Sequence, residues 1–268
     1  MRKIVLRQKA DNAALPSQCE KDSTEDGNAF PSSAGGGYSA RRYPLFDALR
    51  GFSIVLMVLY HCAYLLVTLG HAPSGLIENP VLYVLQPLFA SVFIAISGAC
   101  SVFSRNNARR GIKFLLAAAV ITLASWLFMP DLIIRFGILH FLGVMTLAMA
   151  PLRPWLMRRR ARPMMWLALF FVSYFALNRT FSIEHLWLLG IVSPGFVSGD
   201  FFPLFPWSFM YFFGTCIGRA AQENRLPAWF YTVRMPFFEA CGRHTLLIYL
   251  LHLPIFYAIV QLVFALIA

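Results

Sequence analysis

Three ionisable side chains, Asp47, Arg50 and His61, sit in DALRGFSIVLMVLYHC, a stretch otherwise apolar enough to cross a bilayer. An ionisable group in hydrocarbon costs roughly 2.5 to 3.5 kcal/mol even on lenient insertion scales, so these residues need a reason to be there. At about 100° per residue, Arg50 and His61 fall within about 20° of each other, and Asp47 lies about 40° from His61. The rise of about 1.5 Å per residue separates Arg50 from His61 by roughly 16 Å, one at the inner rim and the other in the outer half of the membrane. Asp47 and Arg50 also form an i,i+3 pair able to anchor a helix start. His61 is too short to snorkel and requires a polar partner or a water-filled cavity. The three together describe a polar path through a bundle.

Three further histidines belong to the same question. His140, in IRFGILHFLG, begins at a depth similar to that of His61, so the two could line one cavity or His140 could be a satisfied core residue. His252, in GRHTLLIYLLHLP, follows Tyr249 by three residues on the same face and is placed in the inner half, either as a helix contact or at a cofactor entrance. His71 falls in the short outer loop.

These residues must be held by helices. Apolar runs of spanning length occur at roughly 46–69, 81–103, 112–130, 133–151, 163–178, 202–219 and 245–267. The expectation is an all-α polytopic membrane bundle of about seven transmembrane helices. Arg41 and Arg42, then Arg105 to Lys113, Arg153 to Arg162, and Arg219 to Arg243 fall in alternate connections, which puts the N-terminus in the cytoplasm. The segment LWLLGIVSPGFV (186–197) reads as a re-entrant or interfacial part of an outer loop. FFPLFPW (201–207) and ISGACS (96–101) carry the residues that permit local unwinding and close helix approach. Residues 1–40 are polar and rich in Gly, Ser and Ala, the composition of a disordered cytoplasmic tail ahead of a membrane domain at 41–268.

Composition agrees with that division. The chain has 268 residues, 59% hydrophobic and 13% charged, with a mean hydropathy of +0.64, which excludes an ordinary soluble enzyme. The net charge of +11 lies in short clusters between apolar runs, where membrane orientation accounts for it without nucleic acid. The five cysteines show no metal-ligand spacing, and no metal is expected.

The ordered set RRYPLFDALRGFSIVLMVLYH, FIAISGACS, IRFGILHFLG, GDFFPLFPWSFMYFFGTCIGR and CGRHTLLIYLLHLP resembles the bacterial small-membrane-protein branch of the heparan-α-glucosaminide N-acetyltransferase catalytic-domain family. The resemblance covers residues 41–268. The first motif is also similar to that of the acyltransferase-3 membrane family, whose members generally have more helices. The resemblance implies acetyl transfer from cytosolic acetyl-CoA to an amino-sugar or glycan acceptor outside, in a multi-pass protein of the bacterial inner membrane.

On that implication, Arg50, Arg42, Arg41 and Arg243 would meet the CoA phosphates at the inner rim, with Asp47 in the same cofactor-binding set. The pantetheine arm would thread toward His61, which could take a proton from the acceptor or carry the acetyl group itself. In the animal lysosomal branch the position resembling His61 is an asparagine and the catalytic histidine lies in the luminal loop, matched here by order by His71. The candidate catalytic residues are therefore His61, His71 and His140, with His61 first because its spacing from Arg50 is independent of the resemblance. Membrane lipid surrounds such a bundle, and its aromatic outer faces allow a homodimer. A proton-coupled transporter using Asp47, Arg50, His61 and His140 as a relay is the alternative.

Overall fold

Tyr43 leads into a run of nine helices among the described residues, α1 (Pro44–Thr68), α2 (Pro80–Phe103), α3 (Asn107–Phe128), α4 (Ile138–Arg158), α5 (Pro163–Leu177), α6 (Leu204–Gln222), α7 (Ala228–Thr232), α8 (Pro236–Arg243) and α9 (Thr245–Ile267). The structure is a computed structural model and describes residues 43–128, 130, 133–158, 162–177, 183 and 185–267. The polar segment 1–40 and the candidate phosphate ligands Arg41 and Arg42 lie outside the described residues. No strand occurs among the described residues, only an isolated bridge between Phe136 and Phe201. By length and composition, α1, α2, α3 and α9 are long and apolar enough to cross a membrane.

Each of the seven runs of spanning length holds a helix, but two starts moved by five residues for local reasons. Helix α3 starts five residues before the expected 112, because Asn106 Oδ1 accepts from the Arg109 amide at 2.8 Å and satisfies an otherwise orphaned donor. That shift draws Arg110 into the helix. Helix α4 starts at Ile138 rather than 133, since the preceding residues pair with the outer loop: Gly199 N–H donates to the Ile133 carbonyl and Phe202 N–H to the Phe136 carbonyl, at 3.3 and 2.9 Å. The 186–197 segment forms a short 3-10 turn at Trp187–Leu189 and loop, with no further long helix.

Small residues set the main helix crossing, as the ISGACS stretch predicts. Helix α2 packs on α6, where a Cβ at Gly98 would collide with the Tyr211 carbonyl and one at Gly214 with the Ala95 carbonyl. The two backbones therefore touch, the close packing that small residues allow where apolar burial between helices gives little drive. Gly214→Val is expected to destabilise the fold by about 3 kcal/mol, the range of overpacking that backbone cannot absorb. Thermal melting of the detergent-solubilised protein checks this, and an unchanged midpoint would mean the helices do not approach so closely. At the α6 mouth, Phe205 has φ −107° and ψ 135°, so the proline-flanked stretch is unwound before the helix proper.

Helix α8 packs on the first turns of α1, with Gly51 against the Phe238 carbonyl and Gly242 against that of Asp47. Its start is held by Glu239, which accepts from the Met235 amide at 3.0 Å and from Arg234 Nε at 3.0 Å. Arg153 closes the far end of α2, donating to the carbonyls of Val102 and Ser104 at 2.8 and 3.3 Å.

Candidate functional site

Asp47 and Arg50 face the protein interior: their side chains are 24% and 18% exposed, and Arg50 Nη1 lies 3.3 Å from Asp47 Oδ1. Arg50 Nη2 also donates to Cys100 Sγ on α2 at 2.7 Å. Both residues line a cavity of about 630 Å³ between α1, α2, α3, α4 and the α8–α9 corner. That size is in the range of sites for cofactor-sized ligands. Arg243 lines it from the end of α8 and Arg110 from the first turns of α3, where Arg110 lies over the Phe114 ring at 5.4 Å and 3.5 Å from Ser97 Oγ. Three guanidinium groups thus share a cavity with one carboxylate, that of Asp47. Such an excess of fixed positive charge in a confined space attracts a multiply charged anion.

His61 lines a second, smaller cavity of about 60 Å³ with Ser53, Tyr60, Gln86, Asp200 and Tyr249. Phe93 and Tyr249 line both cavities, so these two side chains stand between the arginine chamber and the histidine chamber. Arg50 thus opens into one chamber and His61 into the next.

His61 Nδ1 lies 3.1 Å from His252 Nε2 on α9, and His252 Nδ1 lies 2.8 Å from the Tyr249 carbonyl. His252 is therefore level with His61, where the sequence placed the two in opposite halves. His140 is not brought to this pair. It accepts from the Gly137 amide at Nδ1, 3.3 Å, and its Nε2 lies 3.2 Å from Thr122 Oγ1, whose hydroxyl donates to the Ile134 carbonyl at 2.8 Å. His71 is exposed and stacks face to face on Phe264 of α9, with ring centroids 3.4 Å apart. Neither His71 nor His140 lines either cavity.

Asp200 is the group that sequence reading passed over as an outer-loop acid. Its Oδ2 accepts from the Ile138 amide at 3.0 Å, capping α4, and from the Tyr249 hydroxyl at 3.2 Å. Burial pushes its carboxyl above the ordinary value, against the opposing pull of those two hydrogen bonds. A carboxyl raised in the folded state stabilises the fold fully below its ordinary value, and that contribution is lost as pH rises through the raised one. Asp200→Asn should therefore flatten the decline of melting temperature from acid toward neutral pH. Parallel pH profiles for the two proteins would contradict the raised carboxyl. The only advance signal was position, since GDFFPLFPW puts Asp200 at the mouth of α6.

A family comparison now meets this geometry: residues 42–254 match the model of heparan-alpha-glucosaminide N-acetyltransferase, catalytic. The chain belongs to that family. No curated protein and no solved structure matches it. The heparan-alpha-glucosaminide N-acetyltransferase family has a transmembrane acetyltransferase-type function, and enzymes of this type generally use acetyl-CoA as co-substrate. Membership does not favour the transporter alternative. Among the described residues no group of three His, Cys, Asp or Glu side chains could hold a metal ion.

Proposed function

We propose that the protein transfers the acetyl group of cytosolic acetyl-CoA to an amino-sugar or glycan acceptor on the far side of a bacterial inner membrane. The observation that carries this reading is the pairing of an arginine-lined chamber with a histidine-lined one, joined at Phe93 and Tyr249. Arg50, Arg110 and Arg243 bind the phosphates of CoA by charge-assisted hydrogen bonds, and Asp47 orients Arg50 for that task. The pantetheine arm passes Phe93 and Tyr249, which brings the thioester beside His61. There the acceptor nitrogen or oxygen attacks the carbonyl carbon, with His61 as the general base.

Seven spans, α1 to α6 and α9, with the N-terminus in the cytoplasm, give this reading its sidedness. The basic residues Arg105, Arg109, Arg153, Arg225 and Arg243 then share the side of the arginine chamber. His71 and His140 remain further candidates by sequence, but their partners, Phe264 and Thr122 with Gly137, support structural roles.

The test is a proteoliposome with glucosamine trapped inside and radiolabelled acetyl-CoA added outside. Label should enter the trapped sugar in vesicles whose arginine chamber faces the donor. Flux of protons or solute without any acetyl-CoA dependence would instead support the transporter.

A further inference from the structure

His252 is a half-buried histidine with both ring nitrogens engaged, and nothing in the acyl-transfer reading itself requires it. Its Nδ1 faces the Tyr249 carbonyl at 2.8 Å. A carbonyl oxygen only accepts, so this nitrogen carries the proton. In a neutral ring the other nitrogen, Nε2, then holds a bare lone pair. That lone pair lies 3.1 Å from Nδ1 of His61, which must supply the hydrogen. Among the described residues no carboxylate is hydrogen-bonded to either ring to support a charged form, and Asp200 Oδ2 pairs instead with Ile138 and Tyr249.

We infer that His252 is a positioning residue that fixes His61 in its Nδ1–H tautomer, leaving Nε2 of His61 as the base for acyl transfer. The inference rests on the acetyltransferase reading for its chemistry but not for its geometry. The acceptor heteroatom forms a bond to the thioester carbonyl carbon and gives its proton to His61 Nε2. The C–S bond breaks and the departing sulfur takes that same proton, so the products are the acetylated acceptor and CoA thiol. The proton enters and leaves at Nε2, and the Nδ1 hydrogen never moves. While His61 is an imidazolium, its Nδ1–H bond to His252 becomes charge-assisted and stronger, which favours the transition state over the resting state. The backbone carbonyl of Tyr249 orients His252 in turn, so a chain of two rings and one peptide group does what a buried acid does for a catalytic histidine elsewhere.

His252→Leu removes the acceptor and frees the His61 tautomer. The expected result is a fall in kcat of about 10²-fold, the scale of a disabled general base, with the KM for acetyl-CoA unchanged because the arginine chamber is intact. His252→Gln, whose amide oxygen can accept from His61 Nδ1, should recover most of the rate. Nitrogen NMR on the full-length, ¹⁵N-histidine-labelled protein in nanodiscs reads the tautomer without any turnover. Wild type should show Nδ1 of His61 protonated and Nε2 bare, and His252→Leu a mixture. A wild-type His61 protonated at Nε2, or undiminished kcat in His252→Leu, would overturn the inference. If no acceptor is acetylated by wild type, the NMR result still decides the tautomer, while the enzymatic reading fails separately.

Discussion

Replacing His61 with alanine is expected to lower acetyl transfer by about 10² to 10⁴-fold, the contribution of a positioned general base. Of the sequence-predicted catalytic candidates His61, His71 and His140, His61 alone lines either of the two chambers, and it shares its own with the acid of Asp200 and the hydroxyls of Ser53, Tyr60 and Tyr249. Truncation spares the arginine chamber, because His61 does not line it. The loss should therefore fall on kcat rather than on the KM for acetyl-CoA, the signature of an interaction made in the transition state. Steady-state rates over a range of acetyl-CoA separate the two. Full activity in a folded His61→Ala protein would remove His61 from the mechanism and turn attention to His71.

The opposite split is expected for the arginine chamber. Arg50→Ala and Arg110→Ala should each raise the KM for acetyl-CoA by about 10 to 100-fold, since a hydrogen bond to a charged group contributes about 1.5 to 3 kcal/mol. The rate at saturating donor should change little. Each loss also disturbs two local contacts, those of Arg50 with Asp47 and Cys100 and those of Arg110 with Ser97 and the Phe114 ring, so each variant is first melted to check its fold. Lysine at Arg110 keeps the charge but not the planar fork, and should recover only part of the affinity. Added salt should raise the KM of the wild type, and raise it by less in either variant, as expected for contacts to phosphate.

The helices were legible because their signal is local. Apolar runs, the small residues of ISGACS and the prolines of FFPLFPW each act within a turn or two of their own position, and each has the structural consequence its chemistry implies. The Arg50 to His61 stripe was legible for the same reason, since one helical period fixes it. What crosses between elements was not. His252 meets His61 across the packing of α9 on α1, a pairing that periodicity along either helix does not report. Arg110 reads in sequence as one of many topology-setting cations, and becomes a chamber residue once Asn106 caps α3 early. His140 looked equivalent to His61 by depth, but its partners are a threonine on α3 and an amide in the turn before α4, which spacing along α4 cannot show.

Ligand-dependent thermal stability of the solubilised protein tests the division of labour between the two chambers, and it needs no knowledge of the acceptor. A ligand that binds only the native state raises apparent stability by RT ln(1 + [L]/Kd), about 2.7 kcal/mol at a hundredfold excess over Kd. Wild type, His61→Ala and Arg50→Ala are melted across a series of acetyl-CoA concentrations. The account predicts equal, concentration-dependent stabilisation of wild type and His61→Ala, and a smaller shift at every concentration in Arg50→Ala. No stabilisation of folded wild type at millimolar acetyl-CoA, or the same shift in Arg50→Ala, would contradict it.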